Sequence, residues 1–372
     1  MHVVQIDPVT DPLGRPPQDL LAAWWTVEQC ARSVAQAGAR VSVLQSSLRS
    51  DHLQRHGVDY HFLPIAGAGG GVDPGFAALL AQLRPDVIHL HGLGFTREVQ
   101  WLAQLAPGVP LLLQDHAARH PRRPWLWWRW RRALSRARGV IFCARAQALP
   151  FRRWGLLPRR TRVYEVPEAS SHLRPIDGAV ARELTGLAGD PALLWVGHLD
   201  ANKDPLAVLG GVALAARELP GLQLWMCFGR APLRAEVIAR ARAPDLAGRV
   251  HLLGAVPHAQ VAHWMPAADF LVQGSHREGS GYSVIEALAC GLSPVVTDIP
   301  SFRSLLGDLP GHQAAALWPV GQPAALADAL VRLAGGDGLR RRQQVRARFE
   351  AHCSLDALGQ GLLAAYQDAL QP

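Results

Sequence analysis

The sequence predicts an α/β protein built from two doubly wound, parallel-sheet domains. Three observations lead there. The chain has 372 residues, more than one ordinary domain holds. Short apolar runs alternate with helical patterns along its length, and the alternation starts afresh after a polar, less patterned connector at 168–188. Apolar residues at 49% and charged residues at 18% exclude a disordered chain. No apolar run reaches the length of a membrane span, and MHVVQIDPV reads as a strand start lacking a signal peptide's flanks. The cysteines Cys30, Cys143, Cys227, Cys290 and Cys353 form no C-x-x-C pair, which suits reduced, buried thiols and a cytoplasmic protein.

In the first half, strands are expected at 3–6, 40–45, 86–90, 111–114, 140–143 and 162–167. Helices are expected at 19–37, 76–83, 96–106 and 124–138. The first strand runs into a loop rich in Asp, Pro and Gly. Ligands of such sheets lie beyond the strand carboxyl ends, and His91 and His116 both stand there. Each is either a hydrogen-bonded core residue or a pocket residue. Asp115 could orient or charge-stabilise His116, although neighbours on an extended backbone point apart. His89, inside its strand, reads as structural.

The stretch 119–138 carries Trp125, Trp127, Trp128 and Trp130 among many arginines. On a helix Trp127, Trp130, Leu134 and Ala137 share one stripe, with Arg129, Arg132 and Arg136 opposite. Two readings stay open. The helix lies in a membrane interface, or the tryptophans pack on the sheet while the arginines are solvated. The net charge of +8 invites a nucleic-acid partner, yet it is almost wholly arginine in an Ala/Gly/Pro-rich chain and no nucleic-acid motif accompanies it. Lysine occurs once, at Lys203, and that solitary survivor marks a functional candidate.

The second half predicts strands at 193–196, 222–228, 250–253, 270–273 and 294–297. Helices are expected at 204–218, 232–242 and 258–265, then at 323–333, 339–351 and 355–370. Its centre is QGSHREGSGYSVIEALACGLSPVVTDIP, residues 273–300: strand, glycine-rich loop, helix, strand. Gly279 and Gly281 free the turn, and a helix beginning near Ser283 points unpaired N–H groups at its ligand, favouring an anion such as phosphate. Glu278 and Glu286 bracket the turn and can accept paired hydrogen bonds from vicinal hydroxyls. The loop 197–204, GHLDANKD, brings His198 and Lys203 to the same sheet edge, where a lysine supplies full positive charge to a leaving diphosphate.

These residues together resemble the retaining glycosyltransferases of family 4, which have the GT-B fold of two Rossmann-like domains facing a central cleft. The resemblance covers 193–333: the Gly-x5-Lys loop from Gly197 to Lys203, the loop Gly254-Ala255-Val256, the pair Glu278-x7-Glu286 and the run EALACGLSPVVTD. It implies an acceptor domain at 1–170, a donor domain at 171–352 and a helix at 353–372 crossing back to the first. It implies a UDP- or GDP-sugar co-substrate, with no cofactor and no metal. By this mapping Glu286 binds the ribose and Glu278 the donor hexose, with the backbone of Ser280 and Gly281. The amides of Tyr282 and Ser283 hold the diphosphate with Lys203 in the loop opened by Gly197 and His198, and Val256 packs on the base. His116 corresponds to the histidine beside the donor sugar and His91 to a second pocket histidine.

Transfer to an acceptor hydroxyl would retain configuration, the leaving phosphate serving as base. The acceptor expected is a glycan or lipid-linked sugar of surface-polysaccharide assembly, with peripheral contact to the inner face of the membrane through the four tryptophans. Three departures accompany the resemblance. His198 stands where many members have arginine, the usual Gly-Gly loop after the first strand is absent, and Pro-Asn-Gly reads Pro167-Glu168-Ala169. The last is expected to touch only the linker. Competing readings are an inactive homologue, a polyanion- or membrane-binding protein, and a nucleotide-sugar epimerase.

Overall fold

The computed structural model describes residues 1–67, 69–116, 121 and 123–371. The chain divides into two compact units, Met1–Ser170 with Leu355–Pro372, and Ser171–Ser354. Each is a sheet with helices on both faces.

The first unit contains β1 (His2–Asp7), β2 (Arg40–Ser46), β3 (Asp51–Arg55), β4 (Val58–Leu63), β5 (Val87–His91), β6 (Leu111–Gln114), β7 (Gly139–Phe142) and β8 (Arg162–Glu165). Their order is β3-β4-β2-β1-β5-β6-β7-β8, parallel throughout except for β3. The central strands are buried on both faces, as parallel sheets require. One face packs Ile6, Leu90, Leu113 and Phe142 with the helices Pro74–Leu83, Thr96–Leu105 and Trp127–Leu134. The other packs Val3, Val43, Tyr60 and Ile141 under Trp25–Gln36 and the terminal Leu355–Leu370. The terminal helix approaches so closely that a Cβ at Gly359 would lie 2.2 Å from the carbonyl oxygen of Ser33.

Three expectations change here. The helix expected at 19–37 is two, Pro17–Ala23 and Trp25–Gln36, because Trp24 takes φ −112° and ψ 50° between them. The β3–β4 hairpin was not anticipated. Its outer strand, DHLQR, is largely exposed and carries no apolar alternation, while His56 and Gly57 supply the two positive φ angles of a tight hairpin turn. The helix expected at 124–138 is a 3₁₀ turn, Pro124–Leu126, followed by Trp127–Leu134; Arg119 lies outside the described residues.

The second unit contains β9 (Ala192–Gly197), β10 (Gln223–Phe228), β11 (Val250–Gly254), β12 (Phe270–Gln273), β13 (Ser293–Thr297) and β14 (Ala316–Trp318), all parallel, in the order β11-β10-β9-β12-β13-β14. The connector expected at 168–188 holds a helix, Gly178–Thr185, capped by the Asp177 side chain. In both sheets the chain starts centrally, builds one side, then returns to build the other. The strand order therefore reverses between β1 and β5 and between β9 and β12, and the loops at those carboxyl ends diverge to leave a crevice. Among the described residues no helix is long and apolar enough to cross a membrane.

Candidate functional site

In the second unit the loops leaving β9 and β12 are stitched together at the reversal point. Asn202 donates from Nδ2 to the Arg277 carbonyl at 2.9 Å, the His276 amide donates to the Asn202 carbonyl at 2.8 Å, and the His276 ring meets Asp204 at 2.9 Å. Gly274 permits this approach: a Cβ there would stand 2.9 Å from the Asp204 carbonyl oxygen and 3.0 Å from that of Lys203. The stitching brings Lys203 Nζ to 2.5 Å from Glu278 Oε1, with side-chain exposures of 19% and 14%. Both groups are enclosed yet still reachable, so the pair is held in place without being sealed. The ring of Trp195 lies 3.2 Å from where a Cβ at Gly197 would stand, so a side chain there would crowd the ring where the lysine loop leaves β9.

The helix Tyr282–Ala289 begins directly after Glu278-Gly279-Ser280-Gly281. Gly281 is its N-cap at φ +80°, ψ 72°, and no side chain caps it. A Cβ at Gly281 would come to 2.3 Å from the Phe302 ring, so both dihedral and space demand glycine. Gln273 fixes where this helix starts, donating from Nε2 to the Val196 carbonyl at 2.8 Å and to Ser283 Oγ at 3.1 Å. Helix geometry directs the amides of Tyr282 and Ser283 outward along the axis, at the positive end of the dipole. Ser280 is buried.

One turn inside, Glu286 is only 2% exposed. His258, at the start of the helix His258–Ala267, lies with Nε2 2.5 Å from Glu286 Oε1, and its ring centroid is 6.1 Å from that of Tyr282. The hydrogen bond to Glu286 raises the His258 pKa above its ordinary value, outweighing partial burial. Burial, then the charge of Glu286, pushes the Tyr282 phenol upward, so it is a neutral hydroxyl. A buried carboxylate covered by an exposed imidazole and flanked by a phenol is suited to exchange the imidazole for a diol.

Beside this, a hollow of about 820 Å³ opens at the ends of β10 and β11, lined by Phe228, Gly229, Gly254 and Ala255 and reaching Arg234 and Arg242. Val256 is half-buried in the loop that leaves it. His198 is half-buried; a Cβ at Gly229 would lie 3.5 Å from its ring, and its Nδ1 has no hydrogen-bond partner among the described residues. Burial and then Arg230 lower its pKa, so it acts as a neutral donor rather than as a second cation.

The first unit holds a separate hollow of about 380 Å³ at its own reversal point, lined by Asp7 at the end of β1, His91 at the end of β5, Phe95 beyond it, His116 after β6, and Trp24 and Glu168. Gly92, at φ +100°, lets Phe95 lie across its entrance from β5: a Cβ there would meet the ring at 2.8 Å. Three imidazoles are stacked in series. His89 lies 4.4 Å from His91, and His91 lies 5.4 Å from His116, centroid to centroid. His89 Nδ1 meets the Tyr366 hydroxyl at 2.7 Å, and burial drives its pKa down to about 3. Burial also lowers His91 far below the ordinary value. His116 behaves oppositely: enclosure would lower it, but Glu168 first, then Asp115 and Asp7, outweigh that and raise it. When protonated, His116 donates from Nε2 to His91 Nδ1 at 3.2 Å; its Nδ1 lies 3.8 Å from Glu168 Oε2.

The two units thus gather different subsets of the residues picked out by sequence. Gly197, His198, Lys203, Glu278, Ser280, Gly281, Tyr282, Ser283 and Glu286 stand on the β9 and β12 loops and the helix between β12 and β13, while His91, Asp115 and His116 stand on the first unit's sheet edge. Two readings are corrected. The carboxylate against His116 is Glu168, so the Pro-Glu-Ala departure reaches the pocket and not only the linker; Asp115, which is buried, raises the His116 pKa through its charge. Of the four tryptophans, Trp127 and Trp130 pack on the core, and Trp127 donates to the Pro121 carbonyl at 2.9 Å. Only Trp125 and Trp128, 65% and 62% exposed, face outward. Sequence reasoning missed His258, whose signal was its place directly after the Ala255-Val256 loop, and the Trp24–Phe95 lining, which carried no periodic mark.

Comparison with known proteins agrees in both units. Residues 190–335 match the family described as glycosyl transferases group 1, and residues 22–167 match the glycosyl transferase 4-like domain. A D-inositol 3-phosphate glycosyltransferase of Segniliparus rotundus is 31% identical over 204 residues, covering 53% of this chain and 44% of that protein. A phosphatidyl-myo-inositol mannosyltransferase of Mycolicibacterium smegmatis is 28% identical over 207 residues, covering 54% and 50%. The chain thus spans about half the length of the curated relatives it matches. Among solved structures, the Anabaena HepE protein in complex with UDP matches at TM-score 0.70 and 16% identity, covering 99% of this chain and all of that one. A glycosyltransferase of Rickettsia africae matches at TM-score 0.72 and 12% identity, covering 100% and 98%.

Proposed function

This chain belongs to the group 1, family-4-like glycosyltransferases of GT-B fold, and from that premise we propose that it transfers a hexose from a nucleoside diphosphate sugar to an acceptor hydroxyl with retention of configuration. The observation that carries the reading is the meeting of Lys203 with Glu278 in front of the uncapped helix Tyr282–Ala289. A diphosphate at that helix start receives the Tyr282 and Ser283 amides and the Lys203 ammonium. These three supply the positive charge a departing diphosphate needs, without a metal. As the ammonium swings to the phosphate, Glu278 is released to accept hydroxyls of the donor hexose. Glu286 accepts the ribose diol in place of His258, with the base near Ala255 and Val256. HepE was solved with UDP, which supports a uridine nucleotide as the first donor to try.

The first unit holds the acceptor, and the diphosphate oxygen freed by cleavage of its bond to the hexose takes the proton of the acceptor hydroxyl on the same sugar face, so configuration is kept. Exposed Trp125 and Trp128 among Arg123, Arg129 and Arg132 support a peripheral membrane contact and hence a glycolipid or surface-glycan acceptor. Incubating the purified protein with UDP- and GDP-hexoses and reading the released sugar by proton NMR tests the reading. The α-anomer should appear first from an α-linked donor. Initial release of the β-anomer would overturn retention, and no turnover of any donor would overturn the enzyme reading.

A further inference from the structure

The buried carboxylate of Glu286 ends a chain of hydrogen bonds that reaches back to the segment entering the second unit. Tyr282 and Glu286 stand four residues apart on the helix Tyr282–Ala289, a spacing that sets two side chains one turn apart on the same face. The Tyr282 hydroxyl is bonded to both Ser171 and Glu286. Burial first, then the Glu286 charge, raise the phenol's pKa; the bond with Ser171 lowers it and the bond with Glu286 raises it. A bond donated to the phenol oxygen favours the phenolate, whereas a carboxylate acceptor favours the neutral phenol. Ser171 therefore donates to Tyr282, and Tyr282 donates to Glu286. Ser171 Oγ in turn accepts from the Leu173 amide at 3.1 Å. Ser171 is buried and belongs to the same compact unit as the helix. Each bond thus has one direction, from a backbone amide through two hydroxyls to a carboxylate.

A glutamate's last torsion is broad, so a carboxylate needs partners to hold its plane in one orientation. His258 is one such partner, with Nε2 2.5 Å from Glu286 Oε1, but it is exposed and stands where a ribose would have to come. Tyr282 lies on the helix of Glu286 itself. An ionised carboxylate offers about four lone-pair sites, enough to keep the phenol and accept two more hydroxyls. We propose that Tyr282 is a positioning residue for the nucleotide's ribose: its hydroxyl, oriented by Ser171, keeps the Glu286 carboxylate turned to receive the 2′- and 3′-hydroxyls when His258 gives way. This role presupposes the proposed ribose contact of Glu286. Fixing the carboxylate during folding spares the ligand that ordering cost on binding. The gain belongs only to a ligand that carries the diol.

The test is calorimetry on the full chain with UDP and GDP and with their 2′,3′-dideoxy forms. Wild type, Tyr282→Phe and Ser171→Ala are compared. Phenylalanine keeps the ring and the backbone amide and removes the hydroxyl alone. Wild type should bind the dideoxy form about ten- to a hundredfold more weakly than the parent nucleotide. Tyr282→Phe should lose about tenfold for the parent nucleotide and stay within about twofold of wild type for the dideoxy form. A residue that only supports the fold would weaken both ligands alike. Ser171→Ala leaves Tyr282 and Glu286 in place and should lose about two- to threefold, again for the diol alone. If Tyr282→Phe does not fold, Ser171→Ala carries the same comparison. Equal losses on both ligands, or no loss in Tyr282→Phe, overturn the positioning role; no loss in Ser171→Ala overturns the part given to Ser171. Equal affinity of the wild type for a nucleotide and its dideoxy form is a separate outcome, which strikes the ribose contact of Glu286 and the positioning role with it.

Discussion

The two reversal-point sites share a scaffold and differ in the groups they carry. In the second unit the loops after β9 and β12 carry an ammonium against a carboxylate, set before an uncapped helix start. In the first unit, the loops after β1, β5 and β6 carry carboxylates and imidazoles around two aromatic rings. A doubly wound sheet dictates where a ligand lies but not what it is. The side chains decide that: one edge sets Lys203 and Glu278 before a helix start, the other gathers carboxylates, imidazoles and aromatic rings.

The comparison breaks first at Lys203. Replacing it with alanine removes the ammonium from Glu278 and from beside the helix start. Turnover of the nucleotide sugar should fall about 10²–10³-fold, read as kcat/KM. Lys203→Arg should recover part of it, because charge returns but a planar fork replaces a point cation. Full activity in Lys203→Ala would show that the diphosphate is held without the ammonium, and the contrast between the two sites would lose its basis. Gly281→Val tests the other half of the anion site. A side chain there is driven into Phe302 at a φ that L-residues avoid, so nucleoside diphosphate binding should be lost together with part of the stability, both measurable by thermal shift with and without ligand.

How far this was readable beforehand follows the same division. The donor site was legible because its chemistry is contiguous: Glu278, Gly281 and Glu286 lie on one loop and helix, and solitary Lys203 stood out. The parallel sheets were legible from alternation, and the terminal helix Leu355–Leu370 from its period. The first unit's pocket is assembled from residues 7, 24, 91, 95, 116 and 168, which no local spacing connects. Glu168 looked like a linker substitution because its partner is 52 positions away in sequence. The β3 edge strand was invisible for a different reason, since an exposed edge needs no apolar face.

A smaller effect sharpens the donor side. If Glu286 takes the ribose as proposed, the His258 contact is given up, and that contact is strongest while His258 is charged. The His258 pKa is raised by Glu286, so the competition persists below the raised value and is lost as pH climbs through it. Nucleoside diphosphate affinity should therefore rise with pH above the ordinary histidine range. His258→Ala should bind more tightly at the low end and show a flatter profile. Comparing the two proteins by calorimetry at each pH cancels the ionisation of the phosphate itself. Parallel profiles would mean that His258 does not gate the carboxylate. Glu286→Gln should cost about ten- to a hundredfold in the same assay.

The smallest expected effect belongs to the first unit. Because folding raises the His116 pKa, its contribution to stability is fully present below the unfolded value and fades as pH rises through the folded one. With His116 39% exposed, the contact with Glu168 contributes below about 1 kcal/mol. Glu168→Gln should therefore lower the His116 titration midpoint measured by NMR while shifting the melting temperature only slightly, and only at the acid end of the range. The donor-side pH profile should be untouched, since His258 and Glu286 belong to the other unit. If Glu168→Gln leaves the His116 midpoint in place, Asp7 and Asp115 hold the proton instead. The pocket's charge balance would then rest on the sheet edge rather than on the residue where this chain departs from Pro-Asn-Gly.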